Sequence, residues 1–600
     1  LTERFREIFE FLQPELVKEP DIDLRDVEYA TINGMLRTLD PHTVLLSPEV
    51  FKEMQASTSG HFGGLGIVIS IRDGHLTIIR PIENTPASRA GLLKGDRIVQ
   101  IDDESTLNMP LTEAVDRLRG EEGSKVDVWI SRKQPNGTYS KKKKYTLTRA
   151  IISIKSVESR MLASNVGYVK ISNFQGNTTA DLREALAKLH EQKMKALVLD
   201  LRDNPGGLLD QAVKVADTFL PSGTIVATSS QDPRERDSKE AHERGTEPNY
   251  PMIVLINGSS ASASEIVAGA LQNHDRALVI GQRSFGKGSV QVLFNLQDGS
   301  ALKLTVAQYL TPGDVSIQGV GIVPDIAIEP MTVDLERMDL MVDDTAFREA
   351  DLKQHLTHAA ALLPTESTVV LRYYLDRETR RRLEEAAPEE AAENEDEVEF
   401  LTDFSVRLLS RVTSPDRRKM LKEAGPVIET AREKELARAV AELKKLGVDW
   451  SVGENAGKTT VAVEAFTDRE ENRVTAGEPI KLTVRVTNTG DAPLYRLRAV
   501  TKSENRLFHN RELVFGKLMP GETREWTAPL GVCEGEGPKR ACRVPRGTPA
   551  RADGIEIRFE DEHGNAPEPV FVRTQIQPLP RPIFAWSLHF GDDHEGNGDG

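Results

Sequence analysis

The sequence predicts a multidomain protein centred on a layered α/β core. A short helical segment and a compact β-rich module precede this core, and charged helices and an all-β domain follow it. Three observations carry this reading. The chain has 600 residues, too many for one hydrophobic core when a domain takes roughly 150. From Ile151 to about Pro330, apolar runs of strand length alternate with longer amphipathic helices, the pattern of a largely parallel sheet packed against helices. Before and after that stretch, apolar and polar residues alternate with period two, as in half-buried antiparallel strands.

Residues 1–57 read as helical, with Phe5, Ile8, Phe9 and Leu12, then Val27, Ala30, Ile32, Met35, Leu36 and Leu39, mostly three and four apart. The run ends at Asp40-Pro-His-Thr43, and Leu45 to Pro48 mark a turn into a short second helix. Residues 58–150 open on Gly60-His-Phe-Gly-Gly-Leu-Gly-Ile67 and predict strands over 66–71, 76–79, 97–101 and 125–131, with an amphipathic helix over 111–119. Residues 151–330 predict strands at 166–171, 196–201, 252–256 and 277–280, with helices at 179–190, 208–219 and 265–272. Residues 331–455 read as helical and charged, with an acidic connector at 384–399 and a strong amphipathic helix at 429–446. Residues 456–578 alternate again (Ile480, Leu482, Val484, Val486; Tyr495, Leu497, Ala499), which predicts an immunoglobulin-like β-sandwich, and 579–600 read as a flexible linker.

Composition narrows the function classes. The chain is 38% apolar and 28% charged, and no run approaches the ~18 apolar residues of a membrane span. A net charge of −16 argues against nucleic acid and anionic membrane surfaces as partners. Leu1 and the tail Gly591 to Gly600 read as cut ends, so the lack of a leader says nothing about export. Cys533 and Cys542 share one loop, as a disulfide of an oxidising compartment or as two free thiols. The histidines form no His-Glu-x-x-His pattern, and His355 with His358 lies on an ordinary helix, so no metal is expected. Gly281-Gln-Arg-Ser-Phe-Gly-Lys287 fits the first seven positions of a phosphate-binding loop, but Gly288 stands where Ser or Thr would hold magnesium. No nucleotide and no cofactor are expected. Asn177-Thr-Thr179 matches a glycosylation sequon by chance.

The chemistry concentrates on two turns. Ser262 lies in Asn257-Gly-Ser-Ser-Ala-Ser-Ala-Ser-Glu265, and Lys287 follows 25 residues later in Ser284-Phe-Gly-Lys-Gly-Ser-Val-Gln291. A serine hydroxyl attacks a carbonyl only when a neighbour takes its proton, and a lysine can do so once desolvation makes it neutral. Phe285, Val290 and Val292 are the apolar neighbours expected to supply that desolvation. Ser262 follows a predicted strand and opens a predicted helix, where backbone N–H groups favour developing negative charge.

Two resemblances follow from these motifs. The strands and helices of 58–150, with Gly63-Gly-Leu-Gly-Ile67 and Ala87-Ser-Arg-Ala-Gly-Leu-Leu-Lys-Gly-Asp96, resemble a PDZ domain. That resemblance implies that the loop Gly63, Gly64, Leu65, Gly66, Ile67 holds the terminal carboxylate of a peptide, which adds a strand to the sheet edge. Over residues 1–330 the ordered motifs Leu39-Asp-Pro-His-Thr43, Asp200-Leu-Arg-Asp-Asn-Pro-Gly-Gly207, the serine and lysine runs and Gly321-Ile-Val-Pro-Asp325 resemble the carboxyl-terminal processing, or tail-specific, proteases, a serine–lysine peptidase family. The resemblance implies a ClpP/crotonase-like core with Ser262 as nucleophile, Lys287 as general base and Gln291, one helical turn on in spacing, as the residue orienting the base. It implies an oxyanion hole from Ala263 N–H and that of Gly206 or Gly207, and a coupling role for Arg119. It also implies protein or peptide C-termini as substrates and a periplasmic or cell-envelope location. A homodimer through the N-terminal helices and an envelope partner on the β-sandwich are consistent with it. The alternative is a catalytically silent peptide-binding scaffold, which a serine-directed probe separates from an enzyme.

Overall fold

The computed structural model describes residues 3–4, 6–8, 10–11, 23–72, 74–134, 137–230, 236–336, 338–341, 347–352, 367–385, 395–534 and 541–579. Phe5, Phe9, Leu12, the segment holding His355 and His358, much of the acidic run and the tail from 580 lie outside the described residues. The chain divides into two compact units, one of 1–328, 345–371 and 394–429, the other of 329–344, 372–393 and 430–600.

In the first unit a seven-stranded sheet has the order Val157–Met161, Val166–Ile171, Ala196–Asp200, Met252–Ile256, Leu278–Gly281, Ile326–Met331, Val369–Tyr374. The first pair is antiparallel and the next four are parallel, close to the predicted arrangement. Every residue of Ala196–Asp200 and Met252–Ile256 is buried. A strand covered on both faces must be apolar throughout, which is why these two read as unbroken runs. The helices Thr178–Glu191, Leu209–Asp217 and Ala263–Asn273 contribute Leu182, Leu186, Val215, Ile266 and Leu271 to the core around Leu197, Leu199 and Val254.

A second, antiparallel sheet was not anticipated from the sequence. It runs Val44–Leu46, Ala301–Thr311, Gly223–Ser229, Asp237–Ala241, with Ser289–Asn295 and Val315–Ser316 also paired to Ala301–Thr311. Val44–Leu46, expected as a turn, is a strand opposite Ala301–Lys303, so the N-terminal segment is woven into the first unit. Its helix Leu24–Leu36 brackets that strand, with Asn33 bonded to both backbone groups of Leu45 at 2.7 and 3.0 Å.

The β-rich module has the strand order Ile67–Arg72, His75–Pro81, Arg97–Ile101, Lys125–Ser131, Lys143–Thr148, plus helices Pro86–Arg89 and Leu111–Leu118. Lys143–Thr148 was missed because its lysines look solvated. As an edge strand it is where charge blocks unwanted pairing. Ile67–Arg72 forms the other edge. The ribbon His61–Gly64 with Ala150–Ser153 brings the module's entry and exit side by side, as expected of an inserted unit.

Residues 331–455, expected as one helical stretch, are shared between the two units. They include the strand Val369–Tyr374 beside helices Arg377–Glu385, Glu395–Leu409, Arg417–Glu423 and Gly425–Lys445. In the second unit a three-stranded sheet (Val461–Thr467, Ile480–Asn488, Thr523–Leu530) and a five-stranded sheet share one apolar cluster. Ile480, Leu482 and Val484 of the first meet Leu497, Phe515, Ile555 and Val572 of the second in that cluster. Cys533 and Cys542 face each other across a short hairpin and form a disulfide.

Candidate active site

Ser262 is the N-cap of the helix Ala263–Asn273, at φ 53°, ψ −110°. A non-glycine residue held in such a region costs about 1–3 kcal/mol, and neighbours must hold it there. Ser260 Oγ donates to Leu201 O (2.8 Å) and Ser264 Oγ to Asn204 O (2.9 Å), and both serines are fully buried. Ser262 between them is only partly buried. Of Ser260, Ser262 and Ser264, it is the one a substrate can reach.

The turn after Asp200 faces this serine. Asp200 and Arg202 form a buried ion pair at 2.6 Å, and Tyr168 donates to the same carboxylate. Asn204 O accepts Ala261 N–H at 3.0 Å, while its side chain bonds Ile171 O and Gly206 N–H. Gly206 lies at φ 104°, and a Cβ there would stand 2.9 Å from Ser262 Cβ and 3.0 Å from Ala263 N. At Gly207, φ 143°, a Cβ would strike Phe174 O at 2.2 Å. Both positions therefore require glycine.

Glu265, which the sequence reading left without a role, joins the Ser262 and Lys287 turns. Its fully buried carboxylate accepts Ser262 N–H (2.7 Å), Ser284 Oγ–H (2.6 Å), Gly286 N–H (2.6 Å) and Lys287 N–H (2.9 Å). Burial pushes its carboxyl up to about 7, and the four donors oppose that rise. A second tie is Phe285 N–H to Ser260 O at 3.0 Å.

Lys287 is partly buried, and its pKa is lowered, first by burial and then by the charge of Lys303, against the opposing charges of Glu349, Glu265 and Asp40. It makes no ion pair among the described residues. Val292, expected to shield it, is instead 40% exposed, because the end of the strand Ser289–Asn295 turns to solvent. The backbone around Lys287 is held from several segments: Gly288 N–H bonds Gln318 Oε1 (2.8 Å), Tyr309 N–H bonds Gly288 O (2.7 Å), and Glu349 N–H bonds Phe285 O (3.1 Å).

Gln291 lies on a strand, so its spacing of four from the lysine is not a helical turn. Its amide nitrogen donates to Ser289 Oγ (2.8 Å) and Thr305 Oγ1 (3.4 Å), and no bond to Lys287 is formed. Thr305 Oγ1 in turn donates to Asp40 Oδ1 (2.9 Å), and Thr305 N–H to Thr43 Oγ1 (3.1 Å). His42 Nε2 meets the buried Glu349 carboxylate at 2.8 Å, and Gln318 Nε2 donates to it at 3.0 Å. The Asp40–Thr43 motif, seen as a family mark in the sequence, thus supports the base turn. Only the motif's presence could have flagged it, since its partners lie hundreds of residues away.

In the β-rich module the predicted carboxylate loop is narrower than expected. Gly63 and Gly64 belong to the ribbon paired with Ile151 and Ala150, and Ile67 begins the edge strand. That leaves Leu65 and Gly66 between strands. Gly66, at φ 75°, packs on Thr85, where a Cβ would approach to 2.3 Å. Neither Leu65 N–H nor Gly66 N–H donates to a backbone carbonyl among the described residues. Arg119 caps the helix Leu111–Leu118 at its C-terminal end, pairs with Glu53 at 3.6 Å and lies 5.0 Å over the Phe62 ring. It is tied to the N-terminal helix Pro48–Ser59 and not to Ser262.

Comparison with known proteins identifies the family. The model for peptidase family S41 matches residues 165–328, and that for a PDZ domain matches 77–132. The carboxy-terminal-processing protease of Bartonella bacilliformis is 43% identical over 350 residues, 58% of this chain and 79% of that protein. The carboxyl-terminal-processing protease of Synechocystis is 39% identical over 325 residues, 53% of this chain and 74% of that one. A solved photosystem II D1 C-terminal processing protease is 32% identical, covering 53% of this chain and 86% of its own, with a TM-score of 0.32. The chain belongs to the carboxyl-terminal-processing serine proteases of peptidase family S41, with a PDZ domain as its module for peptide C-termini.

Proposed function

We propose that Ser262 is the nucleophile and Lys287 the general base of this protease. The observation that carries the assignment is the setting of Ser262: Ser260 and Ser264 are spent on buried carbonyls, while Ser262, partly accessible, sits on a strained helix cap facing the turn after Asp200. Neutral Lys287 takes the hydroxyl proton as Ser262 attacks the carbonyl, passes it to the leaving amine, and then activates the water that hydrolyses the acyl-enzyme. Among the described residues only the amide nitrogen of Gln291 is bonded, which leaves its oxygen suited to accept from the lysine once substrate is bound. The oxyanion is held by Ala263 N–H and Gly207 N–H. Gly206 N–H is already committed to Asn204 Oδ1, so Gly207 is the better donor.

The free N–H groups of Leu65 and Gly66, beside the open edge Ile67–Arg72, support capture of the substrate's terminal carboxylate there, with Gly63, Gly64 and Ile67 shaping the approach. Arg119 serves as the link between that module and the N-terminal helix. The two sheets of residues 456–578 form an immunoglobulin-like sandwich, a candidate surface for an envelope partner, and the first unit has the layered sheets of a ClpP/crotonase-like core. The disulfide supports a periplasmic or envelope location. The N-terminal helices are the candidate contact of a homodimer.

A fluorophosphonate probe tests the assignment, applied with and without a peptide bearing an apolar C-terminus. Labelling is expected at Ser262 and is lost in Ser262→Ala and in Lys287→Ala, both of which retain the wild-type circular dichroism spectrum. Cleavage of the peptide by either variant at the wild-type rate refutes the roles given.

A further inference from the structure

The β-rich module carries a basic depression that the reaction as described does not use. It has a volume of about 390 Å³ and reaches the end of the edge strand Ile67–Arg72. Five of its ten lining residues are cationic, Arg72, Lys94, Arg97, Arg132 and Lys133, in a chain whose net charge is −16. Asp96 is the one acidic residue among the described lining residues, and it is already spent. Its buried carboxylate accepts Arg132 at 2.6 and 2.7 Å and Leu93 N–H at 2.9 Å. Lys94 and Lys133 are exposed and make no ion pair or hydrogen bond among the described residues. Arg97 is stacked on Tyr139, its guanidinium carbon 3.9 Å from the ring centre, which fixes that charge at the wall of the depression.

Strand register connects this depression to the peptide. Ile67 and Ile69 pack on the module's core, so Val68, Ser70 and Arg72 lie on the opposite face of the edge strand. Ser70 pairs with Thr77 and Thr77 with Arg97, which puts both of these lining residues on that same face. A peptide that adds to this edge with its carboxylate at Leu65 and Gly66 must run antiparallel to Ile67–Arg72, its upstream residues toward Arg72. Every second residue of it then turns to the face of Ser70 and Arg72, and the one opposite Arg72 is about the sixth from the end.

We propose that the depression reads acidic side chains upstream of the substrate's C-terminus, at about the sixth and eighth residues from the end, and so selects tails that carry carboxylates ahead of an apolar terminus. This rests on the capture of the terminal carboxylate at Leu65 and Gly66. Each exposed pair adds little by itself, and the effect comes from several cations converging where the only carboxylate of the described lining is occupied. The negative charge of the rest of the chain disfavours an acidic tail elsewhere, which sharpens the choice of this path.

Fluorescence anisotropy with the full chain carrying Ser262→Ala, which keeps the peptides whole, tests this. Three labelled peptides share one apolar C-terminal end: one has glutamates at the sixth and eighth positions from the end, one has glutamines there, and one is the glutamate peptide closed by a carboxamide. At low ionic strength the glutamate peptide should bind about 5-fold more tightly than the glutamine peptide. That advantage should vanish near ~1 M salt, where charges are screened within about 3 Å. Adding Lys94→Ala with Lys133→Ala, two exposed positions, should abolish the advantage and leave the Kd of the glutamine peptide unchanged. Lys94→Glu with Lys133→Glu should reverse the preference. Equal affinity for the glutamate and glutamine peptides in the parent chain overturns the proposal, as does an advantage that survives in the double alanine variant or an equal weakening of both peptides there. A carboxamide peptide that binds as tightly as its free acid points instead to failure of the carboxylate-capture reading.

Discussion

The turn that carries Ser262, the proposed nucleophile, and the turn that carries Lys287, the proposed base, are built differently. Ser262 is fixed from two adjoining turns of the core: Leu201 and Asn204, after the strand Ala196–Asp200, and Asn257, after Met252–Ile256, bind the serine run. Lys287 leans on Gln318, Tyr309 and Glu349, and through them on His42 and Asp40 from the N-terminal segment. The serine turn is held by parallel-sheet turns of the core, whereas the chain of bonds from the base turn reaches the N-terminal segment, so regulation by that segment would act on the base. Glu265 accepts hydrogen bonds from both turns.

Breaking the shared carboxylate should have the largest effect. Glu265→Gln cannot accept all four donors, and displacing either turn by about 1 Å costs on the order of 10²-fold in rate. Peptide cleavage should fall at least that far, together with loss of stability from unpaired buried N–H groups, about 1–3 kcal/mol each. The same group predicts a pH effect. Its folded pKa, about 7, lies above the ordinary carboxyl value of 4.5, so the native state binds the extra proton. Its contribution to stability is fully present below pH 4.5 and is lost as pH rises through 7. Urea unfolding of the wild type should show this decline, and the difference between wild type and Glu265→Gln should follow it. A pH-independent difference removes Glu265 as the titrating group.

Cutting the remote support sharpens the contrast. His42→Phe removes the donor to Glu349 and should lower kcat roughly 10-fold while leaving KM near its wild-type value, whereas His42→Gln can restore an N–H at that point and much of the rate. Equal losses in both variants would show that the contact merely fills space. The smallest effect is expected at Thr305→Val, which cuts the bridge between Asp40 and Gln291 but keeps the shape. A loss of a few-fold in kcat, about 0.5–1.5 kcal/mol for one hydrogen bond, is the expected outcome of steady-state kinetics.

Much of the site was legible in the sequence, and the illegible part has a common cause. Ser262 and Lys287 were readable because each sits in a short motif whose chemistry is local. The parallel strands were readable because burial on both faces makes them continuous apolar runs. Ser289–Asn295 and Ala301–Thr311 were not, since exposed apolar residues and interior lysines blur the period-two signal. Gln291 was expected one helical turn beyond Lys287 and lies instead on a strand, because a spacing of four fits a helix turn and one face of a strand alike.

The sequence by itself determined which residues can do the chemistry, their order, and the local elements that carry them, because periodicity and turn chemistry act over a few neighbours. The tertiary structure alone decided which charges surround the base. His42 meets Glu349 across 307 positions, and Thr305 meets Asp40 across 265. Spacing along the chain carries no information about such pairs, and burial then gives each of them its force.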